Sequence, residues 1–299
     1  MNVNVVARED RVPSLQAQAW RVSFWERTDN SDCEKIVIHE PVEAVATLTS
    51  VNVEELLEAN KSQSSDSLEI IWIPPNVAGH SNLERISEAW FNESVELHGC
   101  SPVRAGIRTV RVFWSDKRIL IYAGAEQIHD ALNAVVRFTL VERGMIAVEV
   151  GIASIWSSIE QDASLTHAVT HRDQKRQSRV NEKTELATRM RVVQLRVSAA
   201  LEQLDPTLTE PSKRLYAELA TASSLYDRVA RVEEPIQFGL DHYELANTRL
   251  IEDKNARTER TNFRIGHLLE TCIILLLTLE LMALLYEIRL FYQVSGLSS

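Results

Sequence analysis

Two pairs of residues in this chain have a spacing that chemistry can use. In "SLTHAVTHRD" His167 and His171 lie four apart, so on a helix they share a face and could present two imidazoles to one metal ion, with Asp162 or Asp173 as an oxygen donor. No glutamate follows His167, so the H-E-x-x-H pattern of zinc hydrolases is not met, and two ordinary core or surface histidines are the competing reading. The second pair, Glu280 and Glu287, sits in "HLLETCIILLLTLELMALLYEIRLFY", residues 267 to 292. Seven residues apart, these carboxylates fall on nearly the same side of a helix, and Glu270 opens the same segment. The P-loop, dinucleotide-binding, nucleophile-elbow and C-x-x-C patterns are all missing, and nine glycines leave little room for phosphate-cradling loops. The expectation is therefore no catalytic residues, no cofactor and no enzymatic activity.

The segment around Glu280 reads as a membrane helix. Leu268 to Ile288 spans about 31 Å at 1.5 Å per residue, close to a bilayer's hydrocarbon thickness. Its apolar residues together favour insertion by roughly 3 to 6 kcal/mol, while a central carboxylate opposes it by about 2.5 to 3.5 kcal/mol. Insertion wins narrowly, provided Glu280 takes up a proton or faces another helix. A buried helix of a soluble assembly is the alternative. Lys254, Arg257, Arg260 and Arg264 precede the segment and Arg289 alone follows it, so the positive-inside rule predicts a single pass with the N-terminal part cytoplasmic. The start of the chain, "MNVNVVARED", carries no secretory pattern, which makes the expected protein tail-anchored.

These positions need elements to hold them. Up to about residue 152 the apolar residues come in β-rich runs: "WRVSFWE" (20–26), "KIVIH" (35–39), "LEIIWIPP" (68–75), "IRTVRVFW" (107–114), "RILIYA" (118–123) and "MIAVEVGI" (145–152). Between the last two, Ile128, Leu132, Val135, Val136 and Leu140 have helical spacing, and a shorter helix starts near Val53. The prediction is an α+β domain over 1–152, a mixed sheet with helices on one face and six tryptophans in its core. From about Ser164 the periodicity is helical throughout. Leu186, Met190, Val193, Val197, Ala200 and Leu204 are spaced 4, 3, 4, 3, 4, a seam that suits either a bundle within one chain or a coiled coil between chains. The breaker "DPTLTEP" ends it. A second helix runs through Leu215, Leu219, Ala222, Tyr226 and Val229, and a third starts after Pro235 and continues to Tyr292. The stretch 153–267 thus reads as a helical stalk, 268–290 as the membrane helix and 291–299 as a short tail.

Composition narrows the partners. Forty-two acidic against 32 basic residues give a net charge of −10, which argues against a general nucleic-acid binder. The basic run "HRDQKRQSRVNEK" is interleaved with acids and reads as a solvated helix face, or else as a local patch for RNA or anionic lipid. Cys33, Cys100 and Cys272 are odd in number and far apart, as in a reducing compartment without a disulfide framework.

The pieces "TVRVFWSDKRILIYAGAEQIHDALNAVV", "LTHAV" and "RIGHLLETCIILLLTLELMALLYE" resemble the required-for-meiotic-nuclear-division family over about residues 107 to 290. That family's membrane helix opens with a Leu-Glu pair, here Leu269 and Glu270, and carries an internal acid, here Glu280; Thr166 stands where the family's Ser-His-Ala-Leu segment has serine. The resemblance implies membrane-attached, oligomeric proteins without an accepted active site, in a bacterial inner membrane or, in eukaryotes, the mitochondrial one. The expected function is a tail-anchored homo-oligomeric scaffold whose partner is the bilayer. The alternatives are a membrane-perturbing effector or cation-conducting pore lined by Glu280, and a ligand-sensing or enzymatic N-terminal domain.

Overall fold

Alternation of apolar and polar residues gives the strands, and a continuous apolar run marks the most deeply placed one. The computed structural model describes residues 16–25, 34–39, 43–58, 67–75, 80–98, 101–167 and 169–295. Seven strands form one mixed sheet: β1 (Gln18–Trp25), β2 (Glu34–Ile38), β3 (Ala44–Val51), β4 (Leu68–Ile73), β5 (Val103–Ile107), β6 (Val110–Trp114) and β7 (Arg118–Tyr122), in the order β2-β3-β1-β4-β7-β6-β5. All neighbours are antiparallel except the central pair β4 and β7. Both central strands are buried at every position, as parallel strands covered on two faces should be.

Helices lie on both faces of this sheet, not on one as the sequence reading had it. Helices α1 (Val53–Glu58) and α2 (His80–His98) cover a core of Ala19, Ile71, Ile73, Leu120 and Tyr122 with Leu56, Trp90 and Phe91. On β6 the side chains alternate. Phe113 meets Phe91 and Tyr122 on that face, while Trp114 points the other way, against Phe138 of α3 (Ile128–Asp162), and donates its Nε1–H to Thr139. Trp20, Trp72, Trp90 and Trp114 are buried as expected, but Trp156 is 43% exposed and stacks on Phe238; the Trp25 side chain lies outside the described residues.

The expected strand "MIAVEVGI" is helix. It forms the middle of α3, in which Val141, Met145, Val148, Ile152, Ile155 and Ile159 are buried at spacings of 4, 3, 4, 3 and 4, while Val150 is exposed. Nothing between Arg143 and Met145 stops the preceding helix, so its period carries through. Two further helices follow, α4 (Gln177–Glu202) and α5 (Glu210–Ala222), and then α6 (Leu225–Ser295). Thr209 caps α5 by accepting from the Ser212 N–H, with Pro211 in the first turn. Ser224, at φ 53°, breaks the predicted helix through Tyr226 in two. Pro235 does not begin a helix; it lies within α6.

The chain divides into two compact units. One unit comprises Met1–Trp156 with Glu185–Gly239, and the other Ser157–Thr184 with Leu240–Ser299. In the first, α4 packs on α3 of the same chain: a Cβ added at Gly144 would lie 3.2 Å from Val197, and one at Gly151 2.4 Å from Met190. The seam is rotated by about one residue from the predicted one. Ala187, Met190, Gln194, Val197, Ala200 and Leu201 are buried, so Met190, Val197 and Ala200 of the expected seam stand, whereas Leu186, Val193 and Leu204 are half-buried and Leu195 is 50% exposed. Gln194 is tolerated there because it accepts a hydrogen bond from Arg191 at 3.1 Å. A buried ion pair, Arg137 to Asp205 at 3.0 Å, ties the α4–α5 loop to α3, and Arg137 also donates to the Val37 carbonyl of β2.

This packing predicts opposite outcomes for two neighbouring substitutions. Val197→Asp places an unpaired charge against Gly144 and should cost several kcal/mol, lowering the melting temperature of the detergent-solubilised chain by many degrees. Leu195→Asp should change melting little, since that position faces water. Comparable losses for both would contradict the rotated seam.

Candidate functional site

Past the buried Tyr243, Ala246 and Leu250, α6 carries its apolar residues outside any packing among the described residues. The large apolar side chains from Leu268 to Tyr286 are all more than half exposed, and the segment is long and apolar enough to cross a membrane. The polar groups along it are mostly satisfied within the helix. Thr271 donates its hydroxyl to the His267 carbonyl at 2.8 Å and Thr278 to that of Leu275 at 2.8 Å, so neither needs water. Glu270 pairs with His267 at 3.3 Å. Glu280 and Glu287 are exposed and have no hydrogen bond or ion pair among the described residues. Cys272 is a free, exposed thiol in the same segment; Cys33 and Cys100 lie outside the described residues.

His167 and His171 do not share a helix face. The chain leaves the helical path between the two residues: a 3-10 turn spans Ala163–Thr166, and a second begins at His171 after Thr170, which adopts an extended conformation. His167 is exposed, and the His171 side chain lies outside the described residues. Among the described residues, no group of three or more His, Cys, Asp and Glu side chains is placed to hold a metal. Asp173 instead sits in the first turn of the second 3-10 helix and reaches back to its cap residue, accepting from the Thr170 N–H at 2.8 Å and hydroxyl at 2.5 Å, and these bonds lower its pKa. Asp162 is fully buried in the second unit, where it accepts from Arg179 and, at 3.4 Å, from the Tyr243 hydroxyl. Burial, then the Asp162 charge, pushes Tyr243 up to about 12. His242 is lowered by burial; Asp162 opposes that shift and His167 adds to it.

One cluster in the first unit was invisible in the sequence. A cleft of about 560 Å³ is lined by Trp114, Asp116, Glu142, Ile146, Glu149 and Arg228, among others. Arg228, in the first turn of α6, donates to both oxygens of Glu149 at 2.9 and 2.8 Å and to Oε1 of Glu142. Asp116 is bound separately by Arg143 at 2.8 Å. The Glu142 side chain is 5% exposed, and its Oε2 has no hydrogen-bond partner. Burial therefore raises its pKa, with Glu149 and Asp116 adding to the shift and Arg228 opposing it. One guanidinium shared by two carboxylates fixes the start of α6 on α3. Residues 142 and 149 are seven apart on one face of α3, a repeat visible in the sequence; their partner 79 residues further on is not.

No family model matches the chain, and no curated protein does. Among solved structures, the full-length CmaX protein aligns with a TM-score of 0.34 at 12% identity, covering 80% of this chain and 83% of that one.

Glu142 makes stability depend on pH in a predictable direction. Its folded pKa is above its unfolded value, so the folded state holds this proton more tightly, and the group weakens the fold as pH rises through the folded pKa. Glu142→Gln removes that dependence. The melting temperature of the variant, measured against that of the parent, should therefore be more favourable at about pH 8 than at about pH 5. An identical difference at both values would show that burial does not shift this carboxyl.

Proposed function

We propose that this protein is a membrane-attached, oligomeric scaffold that acts by holding its α+β unit at a membrane surface rather than by catalysis. The observation that carries this reading is the exposed apolar length of α6 from Leu268 to Tyr286, whose hydroxyls are already bonded to their own helix. Orientation by positive charge puts the sheet on the cytoplasmic side, because Lys254, Arg257, Arg260 and Arg264 precede the segment. Self-association follows from Glu280 and Glu287. Two carboxylates about 20° apart around the helix are costly against lipid tails, and helices of several copies packing on that side shield them. A pore is the second reading, favoured by the same alignment of the two acids: a ring of Glu280 side chains would line a cation path.

Cell fractionation should leave the full chain in the membrane pellet after a carbonate wash; complete release would end this reading. Glu280→Leu should insert more favourably by about 3 kcal/mol yet assemble less well, whereas Glu280→Gln retains assembly through amide hydrogen bonds. Cross-linking in membranes followed by mass measurement reads the copy number. If Glu280→Leu assembles as the parent does, the carboxylate face is not the contact. In the pore reading, Glu280→Gln also loses cation preference in liposome flux.

A further inference from the structure

The last turns of α6 before the apolar segment carry two arginines without partners. Arg260 and Arg264 are exposed, one helical turn apart on the same face, and neither makes an ion pair or side-chain hydrogen bond among the described residues. The sequence explains why. The residues three and four positions away are Ala256, Arg257, Phe263 and Arg264 for Arg260, and Arg260, Thr261, His267 and Leu268 for Arg264, so neither has an acid within reach along the helix. Arg257, by contrast, is bound to Asp253 at 2.8 Å.

The two positions also have a definite side. At about 100° per residue, Arg260 and Arg264 lie roughly 140 to 200° around the helix from Glu280 and Glu287. Helices that meet through the glutamate face therefore turn these arginines outward, away from one another and towards lipid. Depth fits as well. Arg264 lies about 6 Å and Arg260 about 12 Å before Leu268 along the axis, while the headgroup layer extends about 5 to 8 Å beyond the hydrocarbon on each side. Arg264 is at headgroup level, and Arg260 lies about 4 to 7 Å beyond it, a distance its long flexible side chain spans to reach a phosphate.

We propose that the Arg260 and Arg264 face of α6 binds the phosphate groups of anionic phospholipids, making attachment selective for a negatively charged membrane surface. This inference rests on the membrane reading above. Guanidinium groups bind phosphate through paired N–H donors, and these two have no carboxylate to compete. The apolar segment that continues the same helix brings the face to the bilayer, so the occupant is a lipid surface rather than a soluble anion.

The test reconstitutes the full chain into phosphatidylcholine vesicles with or without a minor fraction of phosphatidylglycerol. Lipids retained by the protein after mild detergent extraction are then quantified by mass spectrometry. The parent should retain phosphatidylglycerol well above its share of the vesicle. Arg260→Gln and Arg264→Gln should each lower that enrichment by about fivefold, and the double variant should abolish it. High salt should weaken it. Arg249→Gln, a charge change further from the apolar segment, should leave it unchanged. All variants should resist carbonate extraction from pure phosphatidylcholine equally, since neutral lipid engages only the apolar segment. Equal enrichment by parent and double variant overturns the headgroup inference and leaves the membrane reading standing. Loss of the parent itself from phosphatidylcholine vesicles overturns the membrane reading.

Discussion

Thirteen large apolar side chains between Leu268 and Tyr286 project from α6 with nothing over them. Removing such side chains from water is worth about 1.5 kcal/mol or more apiece, so together they represent on the order of 20 kcal/mol, more than the whole stability of a typical domain. That quantity constrains every other feature of the helix. The threonine hydroxyls turn back onto their own backbone, and the charged residues thin out at Arg264. The two carboxylates that remain, Glu280 and Glu287, align on one side.

The first unit is built so that α6 starts from a fixed position. Gly144 and Gly151 lie seven apart on α3 and let α4 approach closely enough for Val197 and Met190 to fill the space where side chains would otherwise stand. Arg228 then clamps the first turn of α6 to Glu142 and Glu149, and the exposed stack of Trp156 on Phe238 continues the contact between α3 and α6. These are packing and charge arrangements within the first unit.

Legibility in the sequence follows how locally each feature is encoded. The runs at 20–26, 35–39, 68–75 and 118–123 gave strands because their alternation or continuous apolarity is a property of adjacent residues. "MIAVEVGI" misled because Met145, Val148 and Ile152 satisfy a helical period inside a β-rich composition, and only the uninterrupted helix before it decides between them. Helix α2 was missed because its buried face includes Ser87 and Ser94, small polar residues that hide the period. The α4 seam was displaced for a related reason: Gln194 is buried and Leu195 is not. Of the candidate sites, the glutamates of the apolar segment were plain from composition. The Arg228 cluster was not, because it joins residues about 80 positions apart.

The central claim is that the segment from Leu268 to Tyr286 lies within a bilayer, and site-by-site thiol accessibility tests it directly. With Cys33, Cys100 and Cys272 replaced by serine, single cysteines are placed along α6 from Asn262 to Tyr286 in the full chain and exposed to a membrane-impermeant maleimide in native membranes. The account predicts labelling at Asn262, protection through the middle of the segment, and recovery of labelling when detergent dissolves the membrane. Uniform labelling along α6 before detergent would contradict it.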